Sequence, residues 1–180
     1  NKTAPQKDVP TKVVTKMDEA KTSAKKSARK SARDIGNRGE VMMSIQSLDR
    51  LEGDKADDKI RKSAQVLQFT GIWPGMTVVE LEAGSGYYTE LLSRIVGKDG
   101  KVIMQNPRGF DAFFKPGAFD GRLGVDGKRL ANVTHSRTNF DALAAEDNSV
   151  DIVTWFLGPH ELWYKNKAGE MRFGNPAKTY

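Results

Sequence analysis

The chain contains no cysteine, and its two histidines, His135 and His160, lie far apart in the sequence. Disulfide bonds and thiolate chemistry are therefore excluded, and the histidine spacing argues against a dedicated zinc site. No apolar run approaches the ~18 residues of a membrane-spanning helix. With 180 residues, 38% of them apolar, the chain is long enough for one domain with its own core and an appendage.

Negative charge is scarce only in the N-terminal quarter of the chain. Residues 1–46 carry 11 Lys and Arg against 5 Asp and Glu, so the whole net charge of +6 lies there, and the remaining 18 and 18 cancel. The densest basic run, at 25–33, could attract phosphates, anionic lipid or an acidic protein, or it could be a solvated helix or tail. No aromatic residue is interleaved in it, which argues against single-stranded nucleic-acid binding.

Residues 77–92, T-V-V-E-L-E-A-G-S-G-Y-Y-T-E-L-L, are the most informative part of the chain. They predict an apolar strand, a glycine-containing turn and the first turns of a helix. This arrangement presents backbone N–H groups and a helix N-terminus to a nucleotide-like ligand. Glu82 stands where such a turn usually has its first glycine.

The rest of the chain alternates between strand-like and helix-like segments. We predict further strands at 101–105, 132–137 and 150–156, helices at 54–69, 87–96 and 160–167, and a phenylalanine-rich loop at 107–130. The alternation predicts an α/β domain with a parallel sheet and right-handed crossovers.

These residues resemble the class I S-adenosylmethionine-dependent methyltransferases, and among them a bacterial group of predicted methyltransferases. The shared motif is E-A-G-S-G-Y-Y-T-E-L-L at 82–92, and P-G-M-T-V-V-E at 74–80, G-K-V at 100–102 and the segment 150–161 also fit. The resemblance covers roughly residues 47–165. It implies a Rossmann-like sheet with flanking helices, S-adenosylmethionine as cofactor, and methyl transfer to an acceptor that the sequence does not identify.

The resemblance also implies which residues bind the cofactor. They are Glu80, Glu82, Gly84, Ser85, Gly86, Tyr88, Gln105, Asn106, Asn139 and Asp141. At Gln105 and Asn106 an amide replaces the acidic residue that normally accepts the ribose hydroxyls, and it lacks the strength of a charge-assisted hydrogen bond. Glu82 adds a negative charge near the cofactor's carboxylate. At ~4 Å that repulsion is about 1 kcal/mol in water and about 4 kcal/mol at an effective dielectric of 20, unless Glu82 rotates outward or holds a cation or a different substrate.

His160 and Glu161 follow the fourth predicted strand, where substrate and cofactor meet in this fold. Two interpretations stay open: a general base or substrate clamp near the acceptor, and a helix N-terminal pair with no chemical role. Methyl transfer by in-line displacement at the sulfonium carbon needs mainly positioning and a desolvated cleft, so it requires no catalytic triad.

The sequence divides into a basic N-terminal arm, residues 1–46, and a methyltransferase-like α/β domain, residues 47–180, that holds the cofactor-binding half of the fold. It ends shortly after the helix that follows the fourth strand, so we predict that this strand is an open edge. Either further C-terminal strands are missing from this sequence or a partner chain completes the sheet in a homo- or hetero-oligomer.

Two functions remain open from the sequence. The first is S-adenosylmethionine-dependent methyl transfer to an unknown acceptor. The second is a catalytically degenerate protein of the same fold that serves as a structural or interaction subunit. Three features favour it: Glu82, the absence of an acidic residue to accept the ribose hydroxyls, and the basic arm. We expect an active methyltransferase in the cytoplasm, whereas a start at Asn1 produced by signal cleavage would indicate a periplasmic or secreted protein.

Overall fold

Helices and strands alternate along the chain in a computed structural model, which describes residues 37–179. The predicted basic run at 25–33 and the rest of residues 1–36 lie outside the described residues. The elements are α1 (Arg38–Gln46), α2 (Glu52–Lys55), α3 (Asp58–Arg61), α4 (Ser63–Thr70), β1 (Thr77–Glu80), α5 (Tyr87–Val96), β2 (Lys101–Gln105), a 3₁₀ helix (Arg108–Phe113), α6 (Asp120–Leu123), β3 (Val133–Ser136), β4 (Ile152–Thr154), a second 3₁₀ helix (Pro159–Trp163) and α7 (Pro176–Thr179).

The four strands form one sheet in the order β3-β2-β1-β4, and every neighbouring pair is parallel. Val79 at the centre of β1 pairs with Ile103 of β2 and with Val153 of β4. Successive side chains of a strand point to opposite faces. Val78 accordingly lies in one hydrophobic cluster, whereas Val79 lies in a second. The predicted α/β fold with a parallel sheet and flanking helices is confirmed.

Helix α5 is the central helix of the first hydrophobic cluster. Its limits are set by Gly86 and Gly97, whose positive φ angles of 84° and 66° are conformations that glycine adopts easily. Leu91 and Leu92 are completely buried, and burying a leucine side chain stabilises the fold by about 1.5–3 kcal/mol. The predicted helix at 87–96 therefore forms as expected.

Helix α1 was not predicted, because Gly39 interrupts its sequence pattern. Tertiary contacts stabilise it: Val41 is fully buried in the first cluster, and Ser44 Oγ donates a hydrogen bond of 2.9 Å to the Leu91 carbonyl. Just before the helix, the Asn37 amide donates to backbone carbonyls at the end of α4 and beyond it. The described end of the predicted arm thus packs with the α/β domain.

The continuous helix predicted at 54–69 is wrong. The segment forms three short helices, α2 to α4, and Lys62 between the last two has a left-handed φ of 51°. Ion pairs with residues outside the segment hold two of these helices: Arg50 pairs with Asp58 of α3, eight residues further along, and the distant Arg122 pairs with Asp54 of α2. Such contacts override the local helical pattern.

Three further predictions are corrected in the second half of the domain. The segment 160–167 is not an α-helix, because only the 3₁₀ helix Pro159–Trp163 forms there. The stretch 107–130 is not loop throughout, since it contains a 3₁₀ helix and α6. Strand β4 is only three residues long. No helix among residues 37–179 is long and apolar enough to cross a membrane.

Candidate active site

The turn between β1 and α5 lies at the carboxyl end of the central strand, as predicted. Glu82, Gly84 and Gly86 all have positive φ angles, of 50°, 58° and 84°. A Cβ placed on Gly84 would meet no atom within 4 Å, and the neighbouring Ser85 is exposed. A Cβ on Gly86 would instead lie 3.1 Å from Arg122 Cγ and from Met104 Cε. Gly84 therefore borders open space, while Gly86 allows close packing inside the protein.

The amides of Gln105 and Asn106, at the end of β2, hold this turn by hydrogen bonds. Gln105 Oε1 accepts from the Glu82 N–H at 3.0 Å, and its Nε2 donates to the Thr138 carbonyl at 2.5 Å. Asn106 Oδ1 accepts from the Gly84 N–H at 2.9 Å, and its Nδ2 donates to the Gly84 carbonyl at 3.1 Å. Each side chain acts as donor and acceptor together, which an ionised carboxylate cannot do. An amide at each position therefore holds the turn through both of its polar atoms.

Glu80 is buried directly below the turn, with 2% of its surface exposed. Burial raises the pKa of Glu80 to about 8, against the opposing effects of a 2.5 Å hydrogen bond from Thr89 Oγ1 and the charge of Arg122. The carboxyl is therefore mostly protonated at neutral pH. Its bond with Thr89 joins the end of β1 to the first turn of α5.

Glu82 turns toward the segment that follows β4. Its Oε2 accepts a hydrogen bond of 2.9 Å from Trp155 Nε1, and a Cβ on Gly158 would overlap the same oxygen. Burial raises the pKa of Glu82, and the negative charge of Glu161 raises it further, while the Trp155 bond opposes both. Burial therefore makes the charged form of this side chain less favourable than that of an exposed glutamate.

His160 and Glu161 lie on the second 3₁₀ helix, close enough for their charges to act on Glu82. His160 Nε2 is 3.5 Å from Glu161 Oε1, and the histidine side chain is largely exposed. The structure thus brings the two predicted catalytic residues to the same edge of the sheet as Glu82. This placement is compatible with a role beside a bound acceptor.

A cavity of about 530 Å³ opens on the β4 side of the turn. Tyr88, which stacks on Phe156 with ring centroids 4.0 Å apart, forms part of its wall together with Trp155. The remaining lining residues are Asp57, Ile60, Arg61, Val66 and Leu157. Tyr88, predicted to bind the cofactor, is therefore placed on this side of the turn.

Asn139 and Asp141, the two residues after β3 that were predicted to bind the cofactor, form no side-chain hydrogen bond with the turn within residues 37–179. Asp141 Oδ2 accepts from the Asn175 N–H at 2.7 Å, so its carboxylate holds the C-terminal segment. Asn139 is exposed beside Thr138, whose carbonyl binds Gln105. Within the described part of the chain, no group of three or more His, Asp or Glu could hold a metal ion.

No pattern in the sequence indicated Arg122, whose Nε donates a hydrogen bond of 3.1 Å to the Ser85 carbonyl in the turn. It lies 37 residues further along the chain, within the segment predicted as a loop. The hydrogen bond between Trp155 and Glu82 could not be inferred from the sequence either. Both contacts depend on long-range packing and leave no local pattern.

The parallel sheet, the glycine turn after β1 and the buried helix α5 agree with the resemblance to class I S-adenosylmethionine-dependent methyltransferases. The family model described as protein-L-isoaspartate(D-aspartate) O-methyltransferase matches residues 44–106. A solved structure of a SAM-dependent methyltransferase from Aquifex aeolicus is similar, with a TM-score of 0.51 and 26% identity over 67% of this chain and 58% of that one.

Among curated proteins, the chain is similar to relatives described as ubiquinone/menaquinone biosynthesis C-methyltransferase UbiE. The protein from Hydrogenovibrio crunogenus is 33% identical over 104 residues, which is 58% of this chain and 39% of that protein. The protein from Salmonella arizonae is 36% identical over 100 residues, or 55% of this chain and 38% of that protein. The chain therefore spans less than half the length of these relatives.

Proposed function

We propose that this protein binds S-adenosylmethionine and transfers its methyl group to an acceptor. The observation that carries the proposal is the turn at the carboxyl end of β1, where Gly84 borders open space and Ser85 is exposed. In open parallel sheets, ligands bind outside the carboxyl ends of the strands. The similar proteins named above are methyltransferases, which supports the same cofactor here.

The residues of the turn fit such a cofactor by shape and by hydrogen bonding. Gly84 and Ser85 would receive it on the open face, and the buried carboxyl of Glu80 lies beneath them. Gln105 and Asn106 fix the turn that faces it. The cofactor, when bound, supplies an electrophilic methyl group on a sulfonium. The protein's task is to orient the acceptor and to exclude water.

Glu82 is compatible with this cofactor because its side chain is turned aside. Its carboxyl binds Trp155, and burial raises its pKa. The large electrostatic penalty considered from the sequence would therefore be reduced.

The acceptor would lie on the β4 side of the turn, in the cavity lined by Tyr88 and Trp155. His160 and Glu161 lie near Glu82 and would serve there as a general base or as a clamp on the acceptor. Asn139 and Asp141 would contact the cofactor only after a rearrangement, since Asp141 is bound to Asn175.

The alternative, a degenerate interaction subunit, has no support from the comparisons. The outer edge of β4 has no strand partner within residues 37–179, and Val153 on it is half exposed. A further strand of the same protein or of a partner would add at this edge. The basic arm would be the site for an anionic partner, and cofactor dependence would place the protein in the cytoplasm.

Isothermal titration calorimetry with S-adenosylmethionine and with S-adenosylhomocysteine tests the proposal. We expect saturable binding of both, with dissociation constants well below 1 mM. The absence of heat with either ligand at millimolar concentration would contradict it. If light scattering of the same non-binding sample showed a stable oligomer, the interaction subunit would become the better description.

A further inference from the structure

Arg122 lies outside every recognised part of the methyltransferase motif, yet it contacts that motif directly. We propose that Arg122 is a positioning residue, which holds the glycine turn in the shape that the cofactor needs. The inference rests on the proposed function for its meaning, but the shape of the turn can be measured without any ligand.

Four hydrogen bonds from one guanidinium join three parts of the fold. Nε donates to the Ser85 carbonyl at 3.1 Å. Nη1 and Nη2 both donate to the Asp54 carboxylate of α2, at 2.5 and 3.0 Å. Nη1 also donates to Glu90 Oε2 of α5, at 2.5 Å. The position of the turn is therefore tied to two helices through a single side chain.

The Arg122 side chain is also buried and closely packed against the turn. Arg122 is 4% exposed, and a Cβ on Gly86 would lie 3.1 Å from its Cγ and 3.3 Å from its Nε. Gly86 immediately precedes α5 and has a left-handed φ of 84°. Its N–H donates to the Ala83 carbonyl at 2.9 Å, which closes the turn. Removal of Arg122 would leave an open volume beside this closing bond.

Arginine is suited to this role by its chemistry. A planar guanidinium presents five N–H donors in a fixed fork, whereas lysine has a single flexible ammonium. Only the fork can bind two carboxylates and a carbonyl in fixed directions. Asp54 and Glu90 also keep the side chain charged, since their hydrogen bonds raise the pKa of Arg122 against the lowering effect of burial.

Arg129 offers a matched comparison within the same cluster. It donates to both oxygens of Glu90, at 2.6 and 3.1 Å, as a second arginine partner of that carboxylate. Arg129 also donates hydrogen bonds to the backbone carbonyls of Arg122 and Asp49. Within residues 37–179 it forms no hydrogen bond with the turn. Loss of Arg129 thus perturbs Glu90 but leaves the contact with Ser85.

The test compares Arg122→Gln, Arg122→Lys, Asp54→Asn and Arg129→Gln with the unaltered protein. Circular dichroism and thermal unfolding establish that each variant is folded. Amide hydrogen exchange by NMR then reports the protection of the Gly86 N–H, and calorimetry reports the affinity for S-adenosylhomocysteine. Asp54→Asn is the milder variant, because it weakens the hydrogen bonds between residue 54 and Arg122 but retains Arg122 itself. It replaces Arg122→Gln in the comparison if that variant does not fold.

We expect exchange at Gly86 to become at least tenfold faster in both Arg122 variants and severalfold faster in Asp54→Asn. Affinity should fall at least tenfold in the Arg122 variants, while Arg129→Gln stays within about twofold of the parent in both measurements. Equal effects of Arg122→Gln and Arg129→Gln, or unchanged exchange at Gly86, would overturn the inference. If the unaltered protein binds no ligand, the proposed function fails, and the exchange data alone decide whether Arg122 positions the turn.

Discussion

Trp155 Nε1 donates a hydrogen bond of 2.9 Å to Glu82 Oε2 and so joins the segment after β4 to the turn after β1. This bond occupies a carboxyl that would otherwise face the predicted cofactor position. Gly158 leaves just enough room for the pair, because a Cβ there would overlap both partners. The unusual glutamate is therefore part of the site's packing.

Trp155→Phe should destabilise the protein more at high pH than at low pH. Without the indole N–H, the largest effect that opposes burial is lost, so the pKa of Glu82 rises further. A carboxyl whose pKa is raised by folding lowers stability as pH increases above its unfolded value. We expect a loss of about 1–3 kcal/mol at pH 8 and a smaller loss at pH 5, measured by urea unfolding. Introduced into Glu82→Gln, the same substitution should lose this pH dependence; a loss that persisted there would rule out the carboxyl as its source.

Glu80→Gln should stabilise the protein at alkaline pH. The pKa of Glu80 is raised to about 8 in the folded state from an ordinary value of 4.5. The folded protein therefore holds an extra proton between these values, and stability falls as pH rises from about 4.5 to about 8. The effect should reach a few kcal/mol. Urea unfolding from pH 4 to pH 9 should show a flatter profile in Glu80→Gln, whereas the exposed control Glu146→Gln should keep the parental slope; a parental slope in Glu80→Gln would contradict the prediction.

Gly84→Ala should weaken cofactor binding strongly with only a modest effect on folding. Gly84 and Gly71 have similar left-handed φ angles, of 58° and 64°, and at neither residue would an added Cβ meet an atom within 4 Å. Alanine should destabilise each site by about 1–2 kcal/mol. Only at Gly84 would the methyl group project toward the proposed ligand. Calorimetry with S-adenosylmethionine should show at least tenfold weaker binding for Gly84→Ala and parental binding for Gly71→Ala; equal affinities would mean that the ligand does not approach Gly84.

Glu90→Gln should be among the most destabilising single substitutions. Burial alone would raise the pKa of Glu90, but hydrogen bonds from Arg129, Arg94 and Arg122 hold it below its ordinary value. Removal of this buried charge leaves three arginines without their shared partner, a change that costs about 3–5 kcal/mol in comparable buried pairs. The loss should shrink as pH falls through the pKa of Glu90, because the parent then loses the same charge.

The matched control for Glu90 is Glu52→Gln, which breaks the exposed pair between Glu52 and Lys55. Exposed pairs contribute about 0–1 kcal/mol. Urea unfolding at pH 7 should therefore separate the two variants clearly. Similar free energies of unfolding for both would show that the buried cluster contributes little.

Local sequence patterns were sufficient to predict the strands and the helix in the central part of the domain. Strand β2 and helix α5 have the predicted limits, and β1 begins where the predicted strand–turn–helix segment 77–92 begins. These elements combine continuous apolar residues with glycines at their ends, so local conformational preference and burial favour the same structure. The turn after β1 could be located for the same reason.

Sequence patterns failed to predict the helices correctly where contacts with other segments outweigh the local conformational preference. Helix α1 forms across Gly39 because Val41 is buried against the core, and the helix predicted at 54–69 is divided where Asp54 and Asp58 pair with arginines. The segment 107–130 offered no periodic signal, although it contains Arg122. Ion pairs between residues 68 positions apart, as for Asp54 and Arg122, have no signature in either sequence neighbourhood.

The amino-acid sequence by itself determined the α/β class, the alternation of strands and helices that predicts a parallel sheet, and the position of the glycine turn. It could do so because strand and helix periodicity and glycine conformations are local properties. Only the tertiary structure decided how the turn is held and which carboxyls are protonated. Those properties arise from burial and from hydrogen bonds between segments that are adjacent in space but remote along the chain.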